Sequence, residues 1–213
     1  MKYNFSKSPE FCKDSYTIYI CGVGGQGTIK TSAIIGDGAI NEGKNVVMSE
    51  IHGMSQRGGI VSTELKIGNY KSSLIEEFSA DMIIGFEPVE TIRSLNKANK
   101  DTKILINTNP IIPFNIKSQK NSYPDVDEII AILKDNYNHV YPINGSQLVK
   151  DIGNPLTLNM ILLGAATADE TFPISKDNIL SAMKDNLKPK FHDMNIKAVE
   201  KGYEKVKYMK EKE

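Results

Sequence analysis

The chain has 213 residues, 40% hydrophobic and 24% charged, which suits one globular domain with a sizeable core. Its 26 basic and 26 acidic side chains cancel, and that balance argues against nucleic acid or a membrane surface as the main partner. The two cysteines, Cys12 and Cys21, form no Cys-x-x-Cys pair, so neither a disulfide scaffold nor an iron–sulfur site is expected in this chain.

Residues 1–15 are polar, with no sustained apolar core, and read as a flexible leader rather than a signal peptide. Residues 16–213 then read as a single domain without internal repeats. Residues 16–21 (YTIYIC) are a buried strand by their β-branched and aromatic content, and Cys21 reads as a small buried hydrophobe at its end. Gly22, Gly24 and Gly27 follow in G-x-G-x-x-G spacing, with Gly25 and Gln26 between them. Glycines here permit positive φ and a close backbone approach, and the helix behind them offers unpaired N–H groups to an anion. That helix is expected over 28–41, with Ile29, Ala33, Ile34 and Ile40 on its apolar side and Gly43 past its end. A second strand spans 45–51, placing Glu50 near its end, in the region where a dinucleotide-binding fold holds its ribose acid.

Residues 60–67 alternate strictly. Val61, Thr63, Leu65 and Ile67 share one face, and Ser62, Glu64 and Lys66 the other, which predicts a half-exposed antiparallel strand. Further strands are expected at 81–86, 103–108 and 139–143, with helices at 88–98 and 125–136, the latter opened by Asp125 and Glu128 in capping-box spacing. From Gly145 onward only helices are expected, over 146–152, 155–168, 176–186 and 193–209. The whole is an α/β, Rossmann-like domain. It has a mostly parallel sheet flanked by helices, an exposed antiparallel ribbon and a helical C-terminal part. The longest apolar tract, 156–168, is too short for a bilayer and is interrupted by Thr157, Asn159 and Thr167, so the cytoplasm is the expected compartment.

Three motifs do not hold. Lys30-Thr31 lacks the glycine that a P-loop requires directly before its lysine. Gly36-Asp37-Gly38 has the letters of a thiamine-diphosphate signature but falls inside the first predicted helix. No His/Cys cluster has metal-ligand spacing, and no catalytic residue stands out. The loop from Glu50 to Gly59 is the richest stretch chemically. Within ten residues it gathers an acid, an imidazole, an amide, a guanidinium and three glycines, at the carboxyl end of a strand, where open α/β sheets bind ligands. A polar surface turn is the plain alternative.

GVGGQG at 22–27 followed by SEIHGMSQRGG at 49–59 resembles the γ-type subunits of 2-oxoacid:ferredoxin oxidoreductases, most closely the small subunit of the indolepyruvate enzymes. IGNPLTLNMILLGA at 152–165 and NIKAVEKG at 195–202 are similar to that family's later helices, so the resemblance runs from about residue 17 to residue 202. It implies a subunit without thiamine diphosphate or iron–sulfur clusters, both of which belong to a large α partner, in a heterodimer or a dimer of heterodimers. The complex would decarboxylate an arylpyruvate oxidatively, reduce ferredoxin and form an aryl-acetyl-CoA in anaerobic amino-acid metabolism. The resemblance also implies that this chain serves the coenzyme A side. Gly22, Gly24, Gly25, Gln26 and Gly27 would then hold a phosphate. Arg57 would pair with a phosphate or a partner carboxylate. His52, Met54, Gln56, Gly58 and Gly59 would line the seam with the partner, and Glu50 would hold that loop. A γ subunit for pyruvate, 2-oxoglutarate or branched-chain acids, a free-standing NAD(P) dehydrogenase and a regulatory nucleotide-binding module are the other readings.

Overall fold

The computed structural model describes residues 15–53, 59–111 and 123–212. Its elements run β1 (Tyr16–Val23), α1 (Thr28–Asn41), β2 (Val46–His52), β3 (Ile60–Ile67), β4 (Ala80–Gly85), α2 (Pro88–Arg93), β5 (Ala98–Asn107), α3 (Val126–Asn136) and β6 (His139–Ile143). Four helices follow: α4 (Gly145–Ile152), α5 (Leu158–Thr167), α6 (Lys176–Asn186) and α7 (His192–Lys210). The six strands form one sheet in the order β2-β3-β1-β4-β5-β6. Neighbours from β1 to β6 are parallel, whereas β3 is antiparallel to both β1 and β2.

The central strands bury both faces, which explains their unbroken apolar runs. In β4, Met82 and Ile84 belong to the large core under α5 and α7, while the intervening Ile83 joins the smaller core on the other face. Ile104, Ile106 and Val140 pack with Ile129 and Leu133 of α3 on that second face. The helical layer on the first face depends on a close crossing of α5 and α7. A methyl group at Gly164 would lie 2.0 Å from the Val199 carbonyl oxygen, and one at Gly202 would lie 1.9 Å from that of Ile161. The two backbones touch there, and only hydrogen fits between them.

Several expectations need correction. The alternating strand is β3, and it is antiparallel, but its polar face is covered: Ser62, Glu64 and Lys66 are all buried. The segment after β3 folds back over them. The Glu64 carboxylate accepts the Ile75 N–H and pairs with Lys97 Nζ at 3.2 Å, while Lys66 Nζ pairs with Glu76 at 3.2 Å and lies over the Tyr70 ring. Charges taken out of water need partners of this kind. The exposed member of the antiparallel ribbon is β2, at the sheet edge, where Met48 and Ile51 face solvent.

The first helix also turns a different face inward. Thr28, Thr31, Ser32, Ile34, Ile35, Gly38 and Ala39 are buried, whereas Ile29 and Ile40 are exposed. Small side chains let α1 lie close to its neighbours, and the hydroxyls are satisfied within the helix, Thr31 Oγ1 donating to Gly27 O and Ser32 Oγ to Ile29 O. Gly38 of the Gly-Asp-Gly triplet is such a packing position, since a methyl there would meet Ile174 and Ile179 at 3.2 Å. The helix expected over 88–98 stops at Arg93. A short 3₁₀ turn follows, Leu95–Lys97, and β5 begins at Ala98, five residues before the expected strand start at residue 103. Asp125 does cap α3, accepting the N–H groups of Asp127 and Glu128.

Candidate functional site

Glycine supplies two different things in the turn between β1 and α1. Gly22 still belongs to β1, and a methyl there would lie 2.7 Å from Phe86 Cβ and 2.8 Å from Gln26 Oε1, so this position is about space. Gly25 and Gly27 have φ of +105° and +92°, a conformation that side chains resist. Among the described residues nothing lies within 4 Å of a methyl built on Gly25, and Gly25 itself is exposed. Gly27 is the N-cap of α1, and the Thr31 N–H to Gly27 O bond at 2.9 Å is the first of the helix. The N–H groups of Thr28, Ile29 and Lys30 precede that bond and point outward from the helix end.

Gln26 is built into the protein rather than offered to a ligand. Its Oε1 accepts the Val23 N–H at 2.7 Å and its Nε2 donates to Phe86 O at 2.8 Å, so the amide spans the ends of β1 and β4. The backbone N–H of Gln26 is likewise taken, by Val23 O at 3.1 Å, and that of Gly24 by Gly59 O at 2.8 Å. Of the predicted phosphate cradle, Gly25 is exposed, Gly27 is half-buried against Asn159, and Ile29 and Lys30 in the first turn of α1 are exposed, while Gly22, Gly24 and Gln26 shape the turn from behind.

The Gly24–Gly59 bond joins the two halves of the long motif. β2 and β3 pair from Val46–Ile67 to His52–Val61 as a hairpin, Gly53 N–H donates to Ile60 O at 2.9 Å, and it is Gly59, just before β3, that meets the glycine turn. Met54, Gln56, Arg57 and Gly58 lie outside the described residues. Glu50 and His52 alternate onto one face of β2, their side chains 3.1 Å apart (Oε2 to Nε2) and about one-third exposed, at 32% each. Glu50 does not take the ribose-acid position. β3 lies between β2 and β1, which puts Glu50 about 10 Å from β1 across two strand spacings. The crevice where strand order reverses, between β1 and β4, is the place where doubly wound sheets hold dinucleotides. Here it is bridged by Gln26.

Several contributors to this end of the sheet escaped the sequence reading. Asn107, buried at the end of β5, donates through Nδ2 to Phe86 O at 2.9 Å and accepts the Gly145 N–H at 3.2 Å, reaching the start of α4. Asn159, in the first turn of α5, packs on Gly27, its Nδ2 3.0 Å from where a methyl would be. Leu158, its neighbour, packs on Gly145. The amino ends of α1, α4 and α5 thus meet at the carboxyl edge of the sheet, and none has an acidic residue in its first turn. The donors differ between them: α1 has no side-chain cap, whereas at α4 the N–H groups of Gly145, Ser146 and Gln147 go to Asn107, Asn109 and Asn144, so α1 offers the N–H groups an anion needs and α4 adds its dipole. Beyond it, buried Glu87 caps α2 through the Glu90 N–H at 3.0 Å and accepts the Tyr123 hydroxyl. Burial raises the Glu90 carboxyl above its ordinary range, with Arg93 at 2.6 Å opposing that shift. A polar residue at a strand's carboxyl end was the one available signal for Asn107. Asn159 gave none apart from the motif containing it.

The surroundings fit a phosphate: among the described residues Gly25 is exposed, the amino end of α1 is uncapped by any side chain, and no first-turn carboxylate faces it. Among the described residues, no group of three or more His, Cys, Asp or Glu that could hold a metal ion occurs. Cys21 is buried, its thiol is pushed up to about 12 by burial, and its Sγ faces Ser94 Oγ. Among the described residues, no helix is long and apolar enough to cross a membrane.

The family model for pyruvate ferredoxin/flavodoxin oxidoreductase matches residues 17–205. The indolepyruvate oxidoreductase subunit IorB of Methanothermobacter thermautotrophicus is 45% identical over 189 residues, which cover 89% of this chain and 96% of that subunit. In structure, the γ subunit of a keto/oxoacid ferredoxin oxidoreductase from Geobacter sulfurreducens matches with a TM-score of 0.67 at 22% identity, over 90% of this chain and 98% of that one. The 2-oxoglutarate:ferredoxin oxidoreductase of Magnetococcus marinus, with 2-oxoglutarate, coenzyme A and succinyl-CoA bound, matches with a TM-score of 0.69 at 19% identity, over 92% of this chain but 31% of that one. These two structural likenesses speak for the fold; the family rests on the sequence matches. By them, the chain belongs to the pyruvate ferredoxin/flavodoxin oxidoreductase family, as one of its small, γ-type subunits.

Proposed function

We propose that this chain is the small subunit of a coenzyme A-dependent indolepyruvate:ferredoxin oxidoreductase, acting with a large partner that carries thiamine diphosphate and the iron–sulfur clusters. The observation that carries the reading is the bond from Gly24 N–H to Gly59 O, which brings the β2–β3 hairpin to the glycine turn. It sits in a chain 45% identical to an indolepyruvate oxidoreductase subunit along nearly all of both lengths.

In this reading the turn holds a phosphate of coenzyme A on the N–H groups of Gly25, Gly27 and the first turn of α1. Coenzyme A supplies the thiol that receives the acyl group. What this chain does is bind and orient: the anion is fixed by backbone donors that need no reorganisation, close to the seam with the partner. Glu50 and His52 brace each other on the exposed edge strand. Met48, Ile51 and Ile60, all exposed beside them, give the seam its apolar part. Arg57 pairs with a phosphate or with a carboxylate of the partner. Electrons and the decarboxylation chemistry stay with the cofactors across the interface.

The test is anaerobic reconstitution of the purified chain with its co-expressed large partner. Ferredoxin reduction driven by arylpyruvate and coenzyme A is expected from the pair and from neither chain alone, with indolepyruvate ranked ahead of pyruvate and 2-oxoglutarate. Steady 2-oxoacid oxidation by the small chain alone, or a pair that prefers pyruvate or 2-oxoglutarate, contradicts the proposal.

A further inference from the structure

Gln26 occupies the one place in the glycine turn where a side chain links two strands. Its amide uses both of its functions on backbone: the oxygen on Val23 N–H at 2.7 Å, the nitrogen on Phe86 O at 2.8 Å. Phe86 O receives a second amide, Asn107 Nδ2 at 2.9 Å, and the Phe86 N–H donates to Cys21 O at 2.8 Å. Asn107 Oδ1 in turn accepts the Gly145 N–H at 3.2 Å. A continuous run of amide hydrogen bonds therefore leads from the amino end of α1, across the ends of β1, β4 and β5, to the amino end of α4. The steric environment agrees. Gly22 lacks a side chain where Gln26 Oε1 and Phe86 Cβ would meet it, so the backbone leaves room for this amide.

We infer that Gln26 is a positioning residue for the bound phosphate, acting through the turn and not by touching the ligand; this rests on the coenzyme A reading given above. An amide is required because one end must accept and the other must donate. A residue that cannot do both releases the glycine turn from β4, and the outward N–H groups of Gly25, Gly27 and α1 lose their common aim. The consequence is weaker binding of coenzyme A with the chemistry at saturation preserved, since the reacting groups lie elsewhere.

The experiment measures kcat and KM for coenzyme A on the reconstituted complex carrying Gln26→Met, Gln26→Glu or Lys30→Glu. Lys30 is an exposed first-turn residue of α1, bonded only loosely to Asn186 at 3.5 Å among the described contacts, and an acid there repels a phosphate directly. The expected result is a KM for coenzyme A raised about tenfold in Gln26→Met, with kcat within about twofold and KM for the 2-oxoacid unmoved. Gln26→Glu reads the same bond by another route. Its carboxylate still accepts from Val23 but cannot donate to Phe86 O until protonated; the facing Phe86 carbonyl favours the protonated form and holds the carboxyl above its ordinary value of about 4.3, so its KM ratio to wild type should fall as pH drops from about 7.5 to about 5. That pH signature keeps the test alive if Gln26→Met does not assemble, and a general loss of structure would not produce it. If Lys30→Glu raises the KM while both Gln26 variants leave it unchanged at every pH, the positioning role is overturned and the coenzyme A reading stands. If none of the three moves it, the coenzyme A reading falls, and the positioning role with it.

Discussion

Glycine serves the helical layer and the carboxyl edge of the sheet for opposite reasons. Where α5 crosses α7, Gly164 and Gly202 are helical and unstrained, but a methyl on either would run into a backbone carbonyl at 2.0 or 1.9 Å. In the turn before α1, no described residue lies within 4 Å of a methyl on Gly25, but its φ is +105°. One pair answers to packing and the other position to conformation. The distinction decides what each can tolerate: the crossing can absorb a methyl only by separating two helices, whereas the turn can accept one at a local cost. It also separates stability from function, since the crossing lies deep in the core and the turn lies where a ligand would arrive.

Substitution sharpens the contrast. Gly202→Ala and Gly164→Ala carry the largest expected effect, roughly 3 kcal/mol or more each, because backbone atoms must move apart and the buried contacts of Ile161, Val199 and Ala165 are loosened. Urea unfolding of either variant should show it, and a loss below about 1 kcal/mol would mean that the helices do not meet as closely as described. Gly25→Ala should cost only about 1 to 2 kcal/mol, through the positive φ, yet raise the KM for coenzyme A in the complex. A Gly25→Ala variant as unstable as Gly202→Ala would erase the contrast.

A smaller, pH-dependent effect belongs to Glu42, which ties the end of α1 to the start of α6. Burial alone would raise its carboxyl, but Lys44 Nζ at 2.8 Å, the Ser175 N–H at 2.7 Å and Asn178 Nδ2 at 2.9 Å together lower it to about 2 from an ordinary 4.5. Since the folded value is depressed, the stabilisation is full above about 4.5 and is lost as pH falls through about 2. Glu42→Gln should therefore cost on the order of 1 to 3 kcal/mol near neutral pH, a deficit that shrinks in acid. Urea melts at several pH values would reveal a constant deficit if the carboxylate were not the cause. The smallest expected signal is a null one. In a Cys12→Ser background, Cys21 should resist iodoacetamide at about pH 8 until the protein is unfolded, because the buried thiol does not ionise there.

The strand ladder was legible because period-two patterns and buried apolar runs report directly on which residues enter the sheet, and Asp125 announced its helix by local chemistry. What failed depended on partners distant in sequence. The polar face of β3 reads as solvent-facing until the segment carrying Ile75 and Glu76 is folded onto it. The inward face of α1 sets Thr28, Thr31, Ser32 and Gly38 beside Ile34, Ile35 and Ala39, and no hydrophobic period marks the first four. At the candidate site the glycines were read from their spacing and the 49–59 loop from its chemical content and its family resemblance; Gly24 and Gly59 are bonded to each other. Gln26 looked like a ligand contact because nothing local shows that Phe86 waits across the sheet. Asn107 and Asn159 became visible only when three helix amino ends were brought to one edge.

The most direct test is backbone hydrogen exchange on the reconstituted complex with and without coenzyme A. Protection concentrated on the amides from Gly25 to Thr31, with little change along the α5–α7 crossing, is what the account predicts. Protection that leaves this turn untouched and falls elsewhere on the chain, or only on the partner, would contradict it.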